Sequence, residues 1–131
     1  MHSADQGMRC AQLHAWNEEE YQTVDPETRD LRSHIQTEML AQGKLRLEER
    51  VKAEMHQSVI EVGTRICHNI QEAAEDLYDL RRNMVRLAEE HGLMLVAGAT
   101  HPFADWRAQE IHPDPAMRRS SKIRSWWLAR I

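Results

Sequence analysis

The sequence predicts an α+β domain, a mixed sheet with one long covering helix. Short strand-like stretches recur at 16–24, 55–62 and 93–99, the first two alternating and the last an apolar run. Between the last two lies a segment whose apolar residues return every three or four positions, the mark of an amphipathic helix. At 131 residues the chain is long enough for one domain with its own core.

The elements follow in order. Residues 1–14 carry no period and read as a leader, leaving 15–131 as the domain. From Trp16 to Val24 the pattern suits a strand. Glu18, Glu20, Gln22 and Val24 share one face, and Glu19, Tyr21 and Thr23 the other. Asp25-Pro26-Glu27-Thr28 is turn chemistry. Residues 33–50 read as a weakly amphipathic helix with Ser33 as N-cap and Gly43 as a point of breakage. Met55 to Val62 forms the second strand, with Gln57, Val59 and Glu61 on one side.

The long helix runs from about Asn69 to His91. Its stripe is Ile70, Ala73, Ala74, Leu77, Leu80, Met84, Leu87, Ala88 and His91, and Gly92 is its C-cap residue. Leu93 to Ala99 is the third strand. Beyond Trp106, Pro113 and Pro115 mark an extended segment, and Arg118 to Ile131 has the spacing of a basic amphipathic helix.

Composition narrows the function classes. The net charge is −4 and the pI near 6.0, which gives no support to general nucleic-acid binding. No apolar run approaches a membrane span. The two cysteines, Cys10 and Cys67, lack metal or redox spacing and read as free thiols of a reducing cytoplasm. His56 and His68 lack zinc spacing. Carboxylates gathered on one side of a sheet repel one another, so the acidic strands call for a cation or a cationic partner.

Four motifs then stand in sequence. They are Glu18-Glu19-Glu20-Tyr21-Gln22, Val24-Asp25-Pro26-Glu27-Thr28, Gln57-Ser58-Val59-Ile60-Glu61-Val62-Gly63-Thr64, and Ala99-Thr100-His101-Pro102-Phe103-Ala104-Asp105-Trp106. In order and approximate separation they resemble the start of a type 2 glutamate–cysteine ligase, in the bacterial carboxylate-amine ligase branch. The resemblance covers nearly all of this chain but about the first third of a family member. It departs at Trp16-Asn17, where relatives carry a Gly and an apolar residue, and after Pro115.

The resemblance implies the N-terminal part of a glutamine-synthetase-like catalytic fold. It implies a ligase that uses ATP and Mg²⁺ to join L-glutamate to an amine such as L-cysteine through an acyl-phosphate, as in glutathione biosynthesis. On that basis Glu18, Glu20 and Glu61 are the expected metal ligands, since magnesium takes hard oxygen donors. Glu19 faces away, towards a structural or salt-bridged role. Gln57 reads as a contact to glutamate or a metal-bound water, or as a sheet amide facing solvent. Thr100 and His101 sit at a strand end, where substrate contacts are common; His101 also suits a purely structural role in holding its turn. No catalytic acid, base or nucleophile is identified, and Cys67 reads as a packing residue.

A second reading comes from a different class. A partial sheet with an open edge is a non-catalytic interaction module, pairing with a copy of itself or with a chain that completes the sheet.

Overall fold

The computed structural model describes residues 14–32, 36–116 and 119. Four strands form one sheet: β1 (Glu18–Val24), β2 (Val51–Ala53), β3 (Val59–Gly63) and β4 (Met94–Val96). Their order is β2-β3-β1-β4, and every neighbouring pair is antiparallel. Among the described residues, α1 (Gln36–Leu47) and α2 (Ile70–Glu90) accompany them. The α+β class holds, but the mixed sheet gives way to an antiparallel one among the described residues. The reason is topological. The expected strand–helix–strand unit exists as β3-α2-β4, whose two strands run parallel, yet β1 lies between them and pairs with both.

The second expected strand, Met55–Val62, shortens at its start because Glu54–Ser58 is the connection of a β2–β3 hairpin. β2 itself lies just past the expected helix 33–50. That helix stops at Leu47, since Glu48 adopts φ 58 and residues Glu48–Arg50 make a 3-10 turn into Val51. Gly43 does not break α1. It is buried in the helix interior, where an added Cβ would lie 3.1 Å from Val51 Cγ1 and 3.3 Å from Leu87 Cδ2. Glycine is there for close approach of α1 to β2 and α2. Ser33, residues 1–13 and the segment from 120 onward, with Arg118, fall outside the described residues.

α2 is closed at both ends by its own sequence. The Asn69 side chain accepts from the Glu72 backbone N–H at 2.8 Å, and Asn69 donates to the Glu72 carboxylate in return. At the far end Gly92 takes φ 66, its N–H donates to Glu89 O, and the Leu93 N–H donates to Ala88 O. These two bonds are a Schellman motif.

One face of the sheet carries the core. Tyr21, Val51, Ile60 and Val62 pack with Met39 and Leu40 of α1 and with Leu80, Met84, Leu87 and Ala88 of α2. Ile70 and Ala74, expected on the apolar stripe, are exposed, and Asp76 is buried instead, only 4% exposed. The alternation of a strand sends the neighbours of the core residues to the opposite face. That second face therefore presents Glu18, Glu20, Glu61 and Lys52.

Candidate metal site on the open sheet face

The site is built from strand register. In the β1–β3 pairing Glu20 lies opposite Glu61, and in the β2–β3 pairing Lys52 lies opposite Glu61. Lys52, Glu61 and Glu20 thus make one row across three strands. Directly opposed like charges such as Glu20 and Glu61 destabilise a sheet unless a cation intervenes.

The third carboxylate of the group is Glu54, at the turn end of β2. One ligand oxygen from each of Glu20, Glu54 and Glu61 can be chosen so that all lie within 4.8 Å of one another. The Glu54 carboxylate accepts from the Met55 backbone N–H at 2.6 Å, which holds it in place. Beside the group opens a cavity of about 410 Å³ lined by Glu20, Glu54, Met55, His56, Val59 and Ala99. An octahedral Mg²⁺ with ligands at about 2.1 Å spaces its donor oxygens about 3–4.2 Å apart. Three carboxylates are the hard oxygen donors such an ion takes, and their separations of up to 4.8 Å lie close to this range.

Glu18 stands two residues along the same face, and its carboxylate is engaged by Lys52. Lys52 Nζ lies 2.9 Å from Glu18 Oε1 and 3.0 Å from Glu61 Oε1. The ammonium also lies 5.6 Å from the centre of the Trp16 ring, a cation–π distance. The hydrogen bond from Lys52 holds the Glu18 carboxyl below its ordinary value. Glu61 is shifted the other way. Its partial burial raises the pKa, and closeness to Glu18 adds to this against the pull of Lys52. Lys52 is in turn raised by its two carboxylate partners.

Of the expected site residues, the register brings Glu18, Glu20 and Glu61 onto one face. Glu54 and Lys52 were missed. Their signal was the Val51-Lys52-Ala53 strand, hidden because the hairpin connection Glu54-Met55-His56-Gln57-Ser58 lacks glycine and proline.

Gln57 and His101 tie loops to one another rather than pointing freely at the site. The Gln57 side-chain amide donates to Ile111 O at 3.2 Å, and its backbone N–H donates to Glu110 O. Thr100 is exposed. His101 Nδ1 accepts from the Ala104 N–H at 3.1 Å, so the proton sits on Nε2, which donates to Arg29 O at 2.8 Å. Phe103 packs edge-on against the ring at 4.6 Å. Both ring nitrogens are thereby spent on tying the 101–104 turn to the turn after β1.

On the core side, Glu19 is bound by Arg81 and by the Tyr21 hydroxyl. The Arg81 hydrogen bond holds the Glu19 carboxyl low, while burial and then Glu19 push Tyr21 up to about 12. Asp76 accepts from the Arg65 backbone N–H and side chain and from Arg50 Nη2, all at about 2.9 Å. Burial alone would raise its carboxyl, but these donors outweigh it and hold it below the ordinary range. Cys67 is a buried free thiol.

The chain is similar to known proteins over most of its length. The profile of glutamate–cysteine ligase family 2 matches residues 17–125. A Solibacter usitatus protein provisionally named glutamate–cysteine ligase 2 is 62% identical over 101 residues, 77% of this chain and 26% of its own length. A protein of the same provisional name from Chloroflexus aggregans is 54% identical over 101 residues, again 77% of this chain and 26% of its own. One from Sorangium cellulosum is 43% identical over 108 residues, 81% of this chain and 28% of its own. The chain thus spans about a quarter of the length of these relatives. No described helix is long and apolar enough to cross a membrane. With most of its length matched by the family profile, the chain belongs to glutamate–cysteine ligase family 2.

Proposed function

We propose that this chain contributes the metal-binding acidic sheet of an ATP-dependent carboxylate–amine ligase that joins glutamate to an amine such as cysteine. The observation that carries the reading is the meeting of Glu20, Glu54 and Glu61, from β1, the β2–β3 turn and β3, within 4.8 Å on the open sheet face. Family membership supports it.

In this reading Glu20, Glu54 and Glu61 hold Mg²⁺, which would shield the phosphate oxygens of the nucleotide during phosphoryl transfer. Everything else here is the work of protein side chains. The strand register sets Glu20 directly opposite Glu61 on one face, which brings their carboxylates to the same place. The Met55 N–H fixes Glu54, and the adjoining cavity leaves room beside the carboxylates for phosphate oxygens. Gln57 and His101 hold the loops that frame the face. The ligation itself is phosphorylation of the glutamate γ-carboxylate followed by displacement of phosphate by the amine, a step of glutathione biosynthesis in the cytoplasm. The chain spans about a quarter of these relatives, and in this reading the remainder of the ligase supplies the nucleotide-binding residues.

A second reading, an interaction module without catalysis, draws on the sheet edge. β4 is a three-residue edge strand whose Met94 and Val96 are 38% and 37% exposed, a surface for a copy of itself or a chain that completes the sheet. Calorimetric titration with Mg²⁺ alone separates the two. Saturable heat that disappears in a Glu20→Gln/Glu61→Gln variant is expected. No heat from the unaltered chain, with concentration-dependent self-association by sedimentation velocity, overturns the ligase-site reading in favour of the module.

A further inference from the structure

Glu61 is shared between two positive-charge positions. One is the point where it meets Glu20 and Glu54. The other is already filled, by the ammonium of Lys52, which bonds Glu61 Oε1 and Glu18 Oε1 together. Lys52 is placed there by three separate features. Register sets it directly opposite Glu61. The Trp16 ring lies over its Nζ at 5.6 Å. Trp16 is itself seated against β3, its Nε1 3.4 Å from where a Cβ on Gly63 would stand.

We propose that Lys52 is a resident cation that competes with a divalent metal for Glu61 and Glu18, and so sets the metal affinity of the face. The inference rests on the metal-site reading above. A divalent ion approaching Glu61 must share its charge with Lys52, and Glu18 is withheld from the ion for as long as Lys52 holds it. Lys52 is half-exposed, at 47%, so it can turn into solvent on a long flexible stem without disturbing the core. Release then frees Glu18 as a fourth carboxylate. Lys52 is thus a positioning residue. It keeps four carboxylates from repelling in the absence of metal and holds the face back from binding weakly charged or scarce cations.

The test is Mn²⁺ binding followed by electron paramagnetic resonance on the full chain, with Lys52→Met, Glu18→Gln and the double variant, and circular dichroism on each. Lys52→Met is expected to tighten Mn²⁺ binding by roughly tenfold, the scale of one screened charge pair. Glu18→Gln alone is expected to change little, because Glu18 is engaged by Lys52. In the Lys52→Met background the same change is expected to undo most of the gain, a non-additivity that a purely structural lysine would not produce. Lys52→Arg, which keeps the charge, should stay close to the parent. Unchanged or weaker binding in folded Lys52→Met, or additive effects in the cycle, overturns the proposal while leaving the metal site intact. Absence of Mn²⁺ binding in both parent and Lys52→Met overturns the metal-site reading itself.

Discussion

Glu20 and Glu61 stand directly opposite one another in the antiparallel pairing of β1 with β3, on the sheet face away from the helices. Two carboxylates in that relation oppose folding unless something positive joins them. In metal-free buffer, Glu20→Gln should therefore raise stability by up to about 1 kcal/mol. The stabilisation that Mg²⁺ or Mn²⁺ gives the parent by binding only its folded state should disappear in the same variant. Thermal melts with and without divalent ions measure both effects.

Glu18 and Glu61 respond to pH in opposite senses. Glu61 has a raised folded-state value, so its native form favours the proton. Its contribution is full below the ordinary glutamate value of 4.5 and is lost as pH rises through the folded value. Glu61→Gln should accordingly be more stable than the parent at neutral pH in metal-free buffer, and lose that advantage in acid. Glu18 is lowered by Lys52, so its contribution is present above 4.5 and lost as pH falls. Glu18→Gln should be the less stable of the two at pH 7. Melting curves from pH 3 to 8 test the pair together.

Asp76 is the acid most dependent on its partners. It is 4% exposed and accepts from Arg65 and Arg50, of which Arg65 is well exposed and contributes less than a buried partner would. Removing the carboxylate in Asp76→Ala leaves a part-buried Arg65 N–H and a largely covered Arg50 without their acceptor. A loss of about 2–3 kcal/mol by urea denaturation is expected. The folded carboxyl lies below the ordinary aspartate value of 3.8, so this stability is present above that pH and disappears as pH falls through the folded value. In Asp76→Asn the acid limb should be shallower than in the parent.

Gly43 sets the distance between α1 and its neighbours. A side chain at this position meets Val51 at 3.1 Å and Leu87 at 3.3 Å, both buried and packed. Gly43→Val should cost about 2 kcal/mol through overpacking, despite relieving a glycine inside a helix. Chemical denaturation measures it. A more stable variant would mean that α1 can move away from β2 at little cost.

These predictions also mark how far the sequence carries. α2 was legible from end to end, since Asn69, the Leu80-Met84-Leu87 spacing and Gly92 are all local signals. The β1 face was legible too, because alternation alone separates Glu18 and Glu20 from Glu19. What local signals do not contain is strand order. Nothing in residues 55–62 or 93–99 reveals that β1 inserts between β3 and β4, so a mixed sheet was expected where an antiparallel one forms. β2 was hidden for a related reason. Val51-Lys52-Ala53 is three residues long and follows a helix without a glycine or proline stop. With it went Lys52 and Glu54, whose place at the site depends on hairpin register. Asp76 was missed because its burial is made tolerable by Arg50 and Arg65, partners distant in sequence.

The measurement that bears most directly on the central claim is Mn²⁺ binding by Glu54→Gln beside the parent and an exposed control on α2, Glu89→Gln. Glu54 is the carboxylate that the fold, rather than the spacing of the acidic strand, adds to Glu20 and Glu61. Saturable binding by the parent, weakened by about tenfold or more in Glu54→Gln and unchanged in Glu89→Gln, is the predicted result. Equal binding by all three would contradict a metal site at Glu20, Glu54 and Glu61.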